Sequence, residues 1–201
     1  MKRATSEIKA ADSKFAPIID AHPLCTIGRI NSEESHFESL VSSVISQQLA
    51  TKAADTIHRR LVALSGGKVT PAKIAKLKEE ELRSAGVSGA KVKTIQRLSS
   101  VALSGEVAIN ELHLIDDDEI IAKQLTSLWG IGPWTVHMFL MFQLGRPDIW
   151  PTGDLGVRRG WEKIHQLKED IEPKKLHLRG EKFRPHRSIV AWYCWRALEN
   201  K

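Results

Sequence analysis

Two features of the chain have the residue types that chemistry beside a phosphate backbone needs. The first is the stretch Leu128-Trp129-Gly130-Ile131-Gly132-Pro133-Trp134-Thr135. The second is Asp154, about twenty residues further on. Glycine tolerates the positive φ of a tight reversal, so Gly130 and Gly132 are both expected to turn the chain. Pro133 fits the first turn of a following helix, where no backbone N–H is required. A reversal without side chains lets a phosphate come close, and the N–H groups of a helix start lie at the end of the helix dipole that favours an anion. Such contacts hold a protein on nucleic acid without reading its sequence. A carboxylate beside that grip can stabilise a developing cation, or orient or deprotonate a water. Plainer readings stand next to these. The hairpin can be a helical reversal that happens to use two glycines, and an Asp after Gly153 can be a turn residue or helix N-cap. Capping does not exclude catalysis.

The elements that must hold these residues read as helices. Asp116-Asp117-Asp118 supplies cap candidates and negative charge for a helix whose Ile120, Ile121, Leu125 and Leu128 recur at helical spacing. After the hairpin a helix is expected through Trp134, Val136, Met138, Phe139 and Phe142, ending near Gly145. Upstream, Phe37, Leu40, Val41, Val44 and Ile45 form one apolar face, with Ser32 or Ser35 as cap. Ala54, Ile57, Leu61 and Leu64 form the next, ending at Gly66-Gly67. Thr70-Pro71 opens a third helix, Glu79 to Ala85 is a short one, and Ser88 is a candidate cap for Val92 to Ala102. Val157 to Ile164 and Arg187 to Leu198 also read as helix. No strand alternation, internal repeat or low-complexity tract stands out.

The 201 residues suit one domain with a real core, and 42% hydrophobic with 27% charged residues is ordinary for a globular protein. No apolar run is long enough to span a membrane, and Met1-Lys2-Arg3-Ala4-Thr5 lacks the apolar stretch of a secretory signal. Cys25 and Cys194 are the two cysteines, which excludes a disulfide framework and suits a reducing, intracellular compartment. The net charge is +6, and its placement matters more than its size. Residues 1–154 hold 18 Lys+Arg and 18 Asp+Glu, whereas residues 155–201 hold 12 and 6. A basic surplus directly after Asp154 suits a polyanion, although charge alone is equally compatible with ordinary solvated surface.

The hairpin string, the loop Trp150-Pro151-Thr152-Gly153-Asp154, the upstream Val44-Ile45-Ser46-Gln47-Gln48-Leu49 and the downstream Arg184-Pro185-His186-Arg187-Ser188 together resemble the helix-hairpin-helix superfamily of DNA glycosylases. The resemblance is greatest to its 3-methyladenine DNA glycosylase II branch and covers roughly residues 35 to 199. It implies an all-α, two-lobed fold with a DNA-binding cleft between lobes. The hairpin lobe would be approximately 35–140, and residues 1–34 with 141–201 would form the second. It implies base-excision repair: Asp154 would assist hydrolysis of the N-glycosidic bond of an alkylated purine flipped out of double-stranded DNA, leaving an abasic site. Whether Asp154 acts on the sugar cation or on the water is left open. Gly130, Ile131, Gly132, Trp134 and Thr135 would grip DNA, with Gln48 and Leu49 at the turn that fills the vacated stack. Trp134, Met138, Trp192 and Trp195 would line the base pocket, each aromatic serving equally well as core. Met138 falls where some relatives place an aromatic, a departure that bears on substrate range. The carbonyls around Leu128 and Ile131 would be the place for a monovalent cation.

Two departures narrow the activity. Relatives that also cut the strand carry a lysine nucleophile just after the hairpin. Trp134 stands there, and an indole cannot form a Schiff base, so a monofunctional enzyme is expected. Two cysteines cannot supply the four ligands of the iron–sulfur loop found in some relatives, and the eight histidines show no metal-ligand spacing, so no cofactor is expected. The expected partner is DNA containing alkylated bases, with no membrane, met by a monomer in a nucleoid or a nucleus. Two other readings remain: a non-enzymatic helix-hairpin-helix binding module, and a glycosylase for deaminated or oxidised bases.

Overall fold

The structure is a computed structural model that describes residues 1–29 and 34–199. In chain order its helices are α1 (Lys2–Ala11), α2 (Ala16–Ala21), α3 (His36–Ser46), α4 (Thr51–Leu64), α5 (Pro71–Ile74), α6 (Glu79–Ser84), α7 (Gly89–Ser104), α8 (Asp118–Thr126), α9 (Pro133–Met138), α10 (Leu155–His165), α11 (Pro173–Gly180) and α12 (Arg187–Leu198). There is no strand among the described residues, so the fold is all-α as the pattern of the sequence requires. Of the two cap candidates for α3, Ser32 lies outside the described residues and Ser35 is the cap, its hydroxyl accepting from the Glu38 N–H at 3.2 Å. Thr70, Ser88 and Asp117 cap α5, α7 and α8 in the same way, each taking one of the donors a helix start leaves without an intrahelical partner. α1, α2 and α11 are helices for which the sequence had raised no specific expectation.

The chain divides into two compact units, Ser32–Phe139 and Met1–Asn31 with Leu140–Lys201. In the first unit α3 buries Phe37, Leu40, Val41, Val44 and Ile45 and packs on α4 and α7. Leu61 of α4 and Val92, Ile95 and Leu98 of α7 complete that core, each such side chain contributing about 1.5–3 kcal/mol by leaving water. α8 buries Ile121 and Leu125, but Ile120 points outward at 48% exposure and does not share their face. α9 runs on into a single π-helical turn, Phe139–Gln143, so the helix after the hairpin is continuous but not α-helical to its end.

The second unit is built around α12, which is buried on nearly every side from Arg187 to Cys194. α10 lies so close to it that a Cβ at Gly160 would collide with the Cys194 carbonyl. Phe15, Trp161, His165 and Phe183 close the other side of α10: Phe15 meets Trp161 and Phe183 edge-on at 5.8 and 5.4 Å, and His165 stacks on Trp161 at 4.0 Å. No helix among the described residues is long and apolar enough to cross a membrane.

Candidate active site and nucleic-acid interface

The hairpin lies between α8 and α9, and its two glycines are there for different reasons. Gly130 has φ +82°, in the left-handed region, and a Cβ on it would collide with the Thr94 hydroxyl of α7. Gly132 does not have the positive φ expected of it. At φ −99° and ψ 174° it is the extended N-cap of α9, and a Cβ there would meet nothing within 4 Å. The fold therefore needs Gly130, whereas a side chain at Gly132 would stand in open space. The Ile131 N–H donates to the Leu128 carbonyl at 3.1 Å and closes the turn. Gln47, on the residue after α3, holds the hairpin from the side: its amide donates to the Gly130 carbonyl at 3.0 Å and to the Thr135 hydroxyl at 2.9 Å. Gln47 was not singled out by the sequence beyond its place in a matching string, because its partners lie more than 80 residues away.

Residues after Gln47 make a tight turn. The Leu49 N–H donates to the Ser46 carbonyl at 3.2 Å, and Gln48 is left-handed at φ 56°. Gln48 and Leu49 are both exposed, Leu49 by 40%, so Leu49 is not the core leucine it could have been.

Asp154 lies in the other unit and caps α10. Its Oδ1 accepts from the Val157 N–H at 2.8 Å and from the indole N–H of Trp195 at 2.9 Å. The plain reading of Asp154 as an N-cap is thus correct, and the cap fixes the direction of a half-buried carboxylate. Trp195 comes this close because Gly156 has no side chain: a Cβ there would sit 2.8 Å from the indole. The exposed Phe142 ring lies 5.7 Å from Trp195, tilted by 31°, and joins it as an aromatic neighbour of the carboxylate's partner.

The matching string around Arg187 turns out to anchor the loop that carries Asp154. Arg187 is nearly buried and grips the Asp148 carboxylate at 2.8 and 3.0 Å, with Glu181 at 3.1 Å. Ser188 is fully buried; its hydroxyl donates to the Arg146 carbonyl at 2.7 Å and accepts from the Ile149 N–H at 2.9 Å. The Trp150 indole donates to the Leu176 carbonyl at 3.0 Å, over Gly180, where a side chain would clash. Arg184 also pairs with Asp148, at 2.8 Å, and Arg159 pairs with Glu162 and Asp170. Part of the basic surplus of residues 155–201 is therefore engaged in ion pairs within its own unit.

Several expected site residues are buried. Ile131 and Thr135 are buried, and the hydroxyl of Thr135 braces the hairpin by accepting from the Gln47 amide. Trp192 is buried at 6% exposure, with the Arg196 guanidinium 4.7 Å over its ring and Tyr193 against it edge-on. Met138 is buried at 9% in the hairpin unit, while Trp134 is half-buried at the start of α9.

A glycine reversal braced from α3 and α7, followed by a capped carboxylate, is matched by a family model for the HhH-GPD superfamily of base excision DNA repair proteins over residues 41–185. The chain belongs to this superfamily. Among its members, DNA-3-methyladenine glycosylase 1 of Schizosaccharomyces pombe is 34% identical, over 84% of this chain and 75% of its own length. The solved structure of the 3-methyladenine DNA glycosylase of the same organism in complex with abasic DNA superimposes with a TM-score of 0.87 at 29% identity, covering 96% of this chain and 95% of that one. A DNA-3-methyladenine glycosidase from Bacillus halodurans gives 0.78 at 33% identity, over 96% and 88%. As a superfamily member, the chain has its hairpin, its carboxylate and its Arg187-Ser188 anchor all within or next to the matched region.

Proposed function

We propose that this protein is a monofunctional DNA glycosylase that hydrolyses the N-glycosidic bond of alkylated purines such as 3-methyladenine in double-stranded DNA. The observation that carries the reading is the fixed carboxylate of Asp154, whose Oδ1 is held by the Val157 N–H and the Trp195 indole. Breaking the bond between C1′ of the sugar and the base nitrogen leaves positive charge on the sugar. An oriented anion stabilises that charge in the transition state. The electron pair of the broken bond leaves with the base, and water adds its oxygen to C1′. Asp154 either accepts the water's proton or hands that task to solvent while acting as a counter-charge. Alkylation at a ring nitrogen makes the base cationic, so it departs without needing a strong general acid.

The hairpin supports the grip that this requires. Gly132 leaves open space at the start of α9, where a phosphate can meet backbone N–H groups. The neutral carbonyl oxygens of Leu128 and Ile131 are the donor type a monovalent cation takes, and the Leu128 oxygen keeps a second lone pair after its bond to Ile131. Such a cation would add positive charge beside that phosphate. The exposed Leu49, with Gln48, is the candidate to fill the vacated stack, while Trp195, with Phe142 beside it, is the candidate aromatic face for the flipped base. The protein acts as a monomer on one lesion and leaves the strand uncut, since Trp134 supplies no amine.

Incubating methylated duplex DNA with the wild type and with Asp154→Asn tests this. Asn caps a helix as well as Asp does, so folding and DNA affinity are expected to survive while methylpurine release is lost. Turnover near the wild-type rate in the variant would remove Asp154 from the chemistry. Strand scission by the wild type would remove the monofunctional assignment.

A further inference from the structure

The turn that follows α3 has the signature of a type II turn. Gln47 has φ −53° and ψ 125°, Gln48 has φ 56°, and the Leu49 N–H closes back on the Ser46 carbonyl. The second central position of such a turn favours glycine, and here it holds glutamine, one of the two non-glycine residues among those described with positive φ. The strain would be relieved by flipping the peptide between Gln47 and Gln48, which converts type II into type I and swings the Gln47 carbonyl to the other side.

That carbonyl is gripped. The Lys91 ammonium, from the first turn of α7, donates to the Gln47 oxygen at 2.7 Å and to the Ile45 oxygen at 2.9 Å. Both bonds are charge-assisted, and they lie at the C-terminal end of α3, where the helix dipole favours a cation. Burial pushes the Lys91 pKa below its ordinary value, the mark of an ammonium held partly out of water. A cavity of about 100 Å³ lined by Ile45, Leu49, Ile57, Val87 and Lys91 lies directly beside the turn.

We propose that Lys91 is a positioning residue for base excision: by holding the Gln47 carbonyl it locks the strained turn that presents Leu49 to the gap left by a flipped base. This rests on the reading of Leu49 as the residue that fills that gap. Lys91 need not touch DNA to do this. It acts through the peptide it clamps.

The test compares affinity for a duplex carrying a tetrahydrofuran abasic-site analogue with affinity for the same duplex intact, alongside single-turnover release of methylpurines. Lys91→Met keeps the aliphatic stem and removes the ammonium. It is expected to lower the preference for the duplex with the abasic-site analogue by about ten-fold, the order of population change that a left-handed non-glycine residue's strain can produce, with intact-duplex affinity retained. Lys91→Arg, which keeps donors and charge, should retain the preference. Gln48→Gly removes the strain, so Lys91→Met in that background should match Gln48→Gly alone, a rescue that general loss of stability would not give. Lys91→Gln serves in place of Lys91→Met if the latter melts below the assay temperature. Leu49→Ala separates the two readings. If Leu49→Ala loses the preference and Lys91→Met keeps it, Lys91 has no positioning role. If Leu49→Ala itself keeps the preference, the gap-filling reading falls first and the proposal with it.

Discussion

Gly130→Ala and Gly132→Asp are expected to separate fold from function within one hairpin. At Gly130 a methyl group meets two penalties. The left-handed φ of +82° costs an alanine about 1–2 kcal/mol, and the collision with the Thr94 hydroxyl must be relieved by moving α7 or the hairpin, about 1–3 kcal/mol more. A total of about 3 kcal/mol lowers the melting temperature of a chain this size by roughly 6–12 °C. At Gly132 the result is the opposite. The backbone is already in the extended N-cap conformation, a new side chain meets nothing within 4 Å, and aspartate is among the best caps. Gly132→Asp should therefore melt at or slightly above the wild type, by about 1 kcal/mol or less in stability. Its new charge would face the phosphate that the open space admits. Two like charges about 4 Å apart cost about 1 kcal/mol in bulk water and about 4 kcal/mol near a protein surface, so duplex affinity should fall by roughly ten-fold or more at low salt and recover partly as salt rises. Thermal unfolding and a salt-resolved binding titration measure both. A Gly132→Asp protein that melts as early as Gly130→Ala would show that the fold, not DNA, requires Gly132. Unchanged affinity at low salt would show that the hairpin does not face the backbone.

Trp195→Phe keeps the ring and removes the indole donor from Asp154 Oδ1. A hydrogen bond to a charged group is worth about 1.5–3 kcal/mol, so single-turnover base release should slow by roughly 10- to 100-fold with little change in duplex affinity; an unchanged rate would show that this bond does not orient the carboxylate for reaction. Asp12 sits in a polar cluster beneath α10. Burial works against its ionisation, but hydrogen bonds from His165, Lys182 and the Lys14 backbone outweigh that and hold its pKa at about 2, from the ordinary 3.8. A depressed carboxylate adds stability that is present above its unfolded pKa and lost as pH falls through the folded one. Stability should therefore drop between about pH 4 and pH 2, and Asp12→Asn should flatten that slope in acid-unfolding curves; an identical slope in the variant would remove Asp12 from the acid response.

The helices and most of their ends were legible because their causes are local. Ser35, Thr70, Ser88 and Asp117 cap their own first turns, and the apolar spacing of α3 and α7 is what buries them. The hairpin was legible for the same reason, and so was the N-cap alternative for Asp154. What failed were inferences that gave one cause to two residues or one face to a whole helix. Gly130 and Gly132 looked equivalent in the string, yet one is dictated by φ and by Thr94 of α7, and the other by neither. Ile120 keeps the helical period but lies at the edge of the buried face. Trp192 and Trp195, three apart on one helix, could not be told apart by type; Arg196 covers the first and Asp154 receives the N–H of the second.

The order of residues alone determined an all-α chain, a glycine reversal suited to a phosphate, a candidate carboxylate beyond it, and membership of a repair superfamily that the matching strings already suggested. The helices and the reversal follow from backbone preferences and spacing, which act over one or two helical turns; the superfamily rests on the matching strings. The tertiary structure decided which atoms hold the site in place: Gln47 against Gly130 and Thr135, Lys91 on the Gln47 carbonyl, Arg187 and Ser188 on the loop before Asp154, and Trp195 on Asp154 itself. Each of these bonds joins residues about 40 to 90 positions apart. Local propensity carries no information over that distance, because the packing of whole helices brings the partners together.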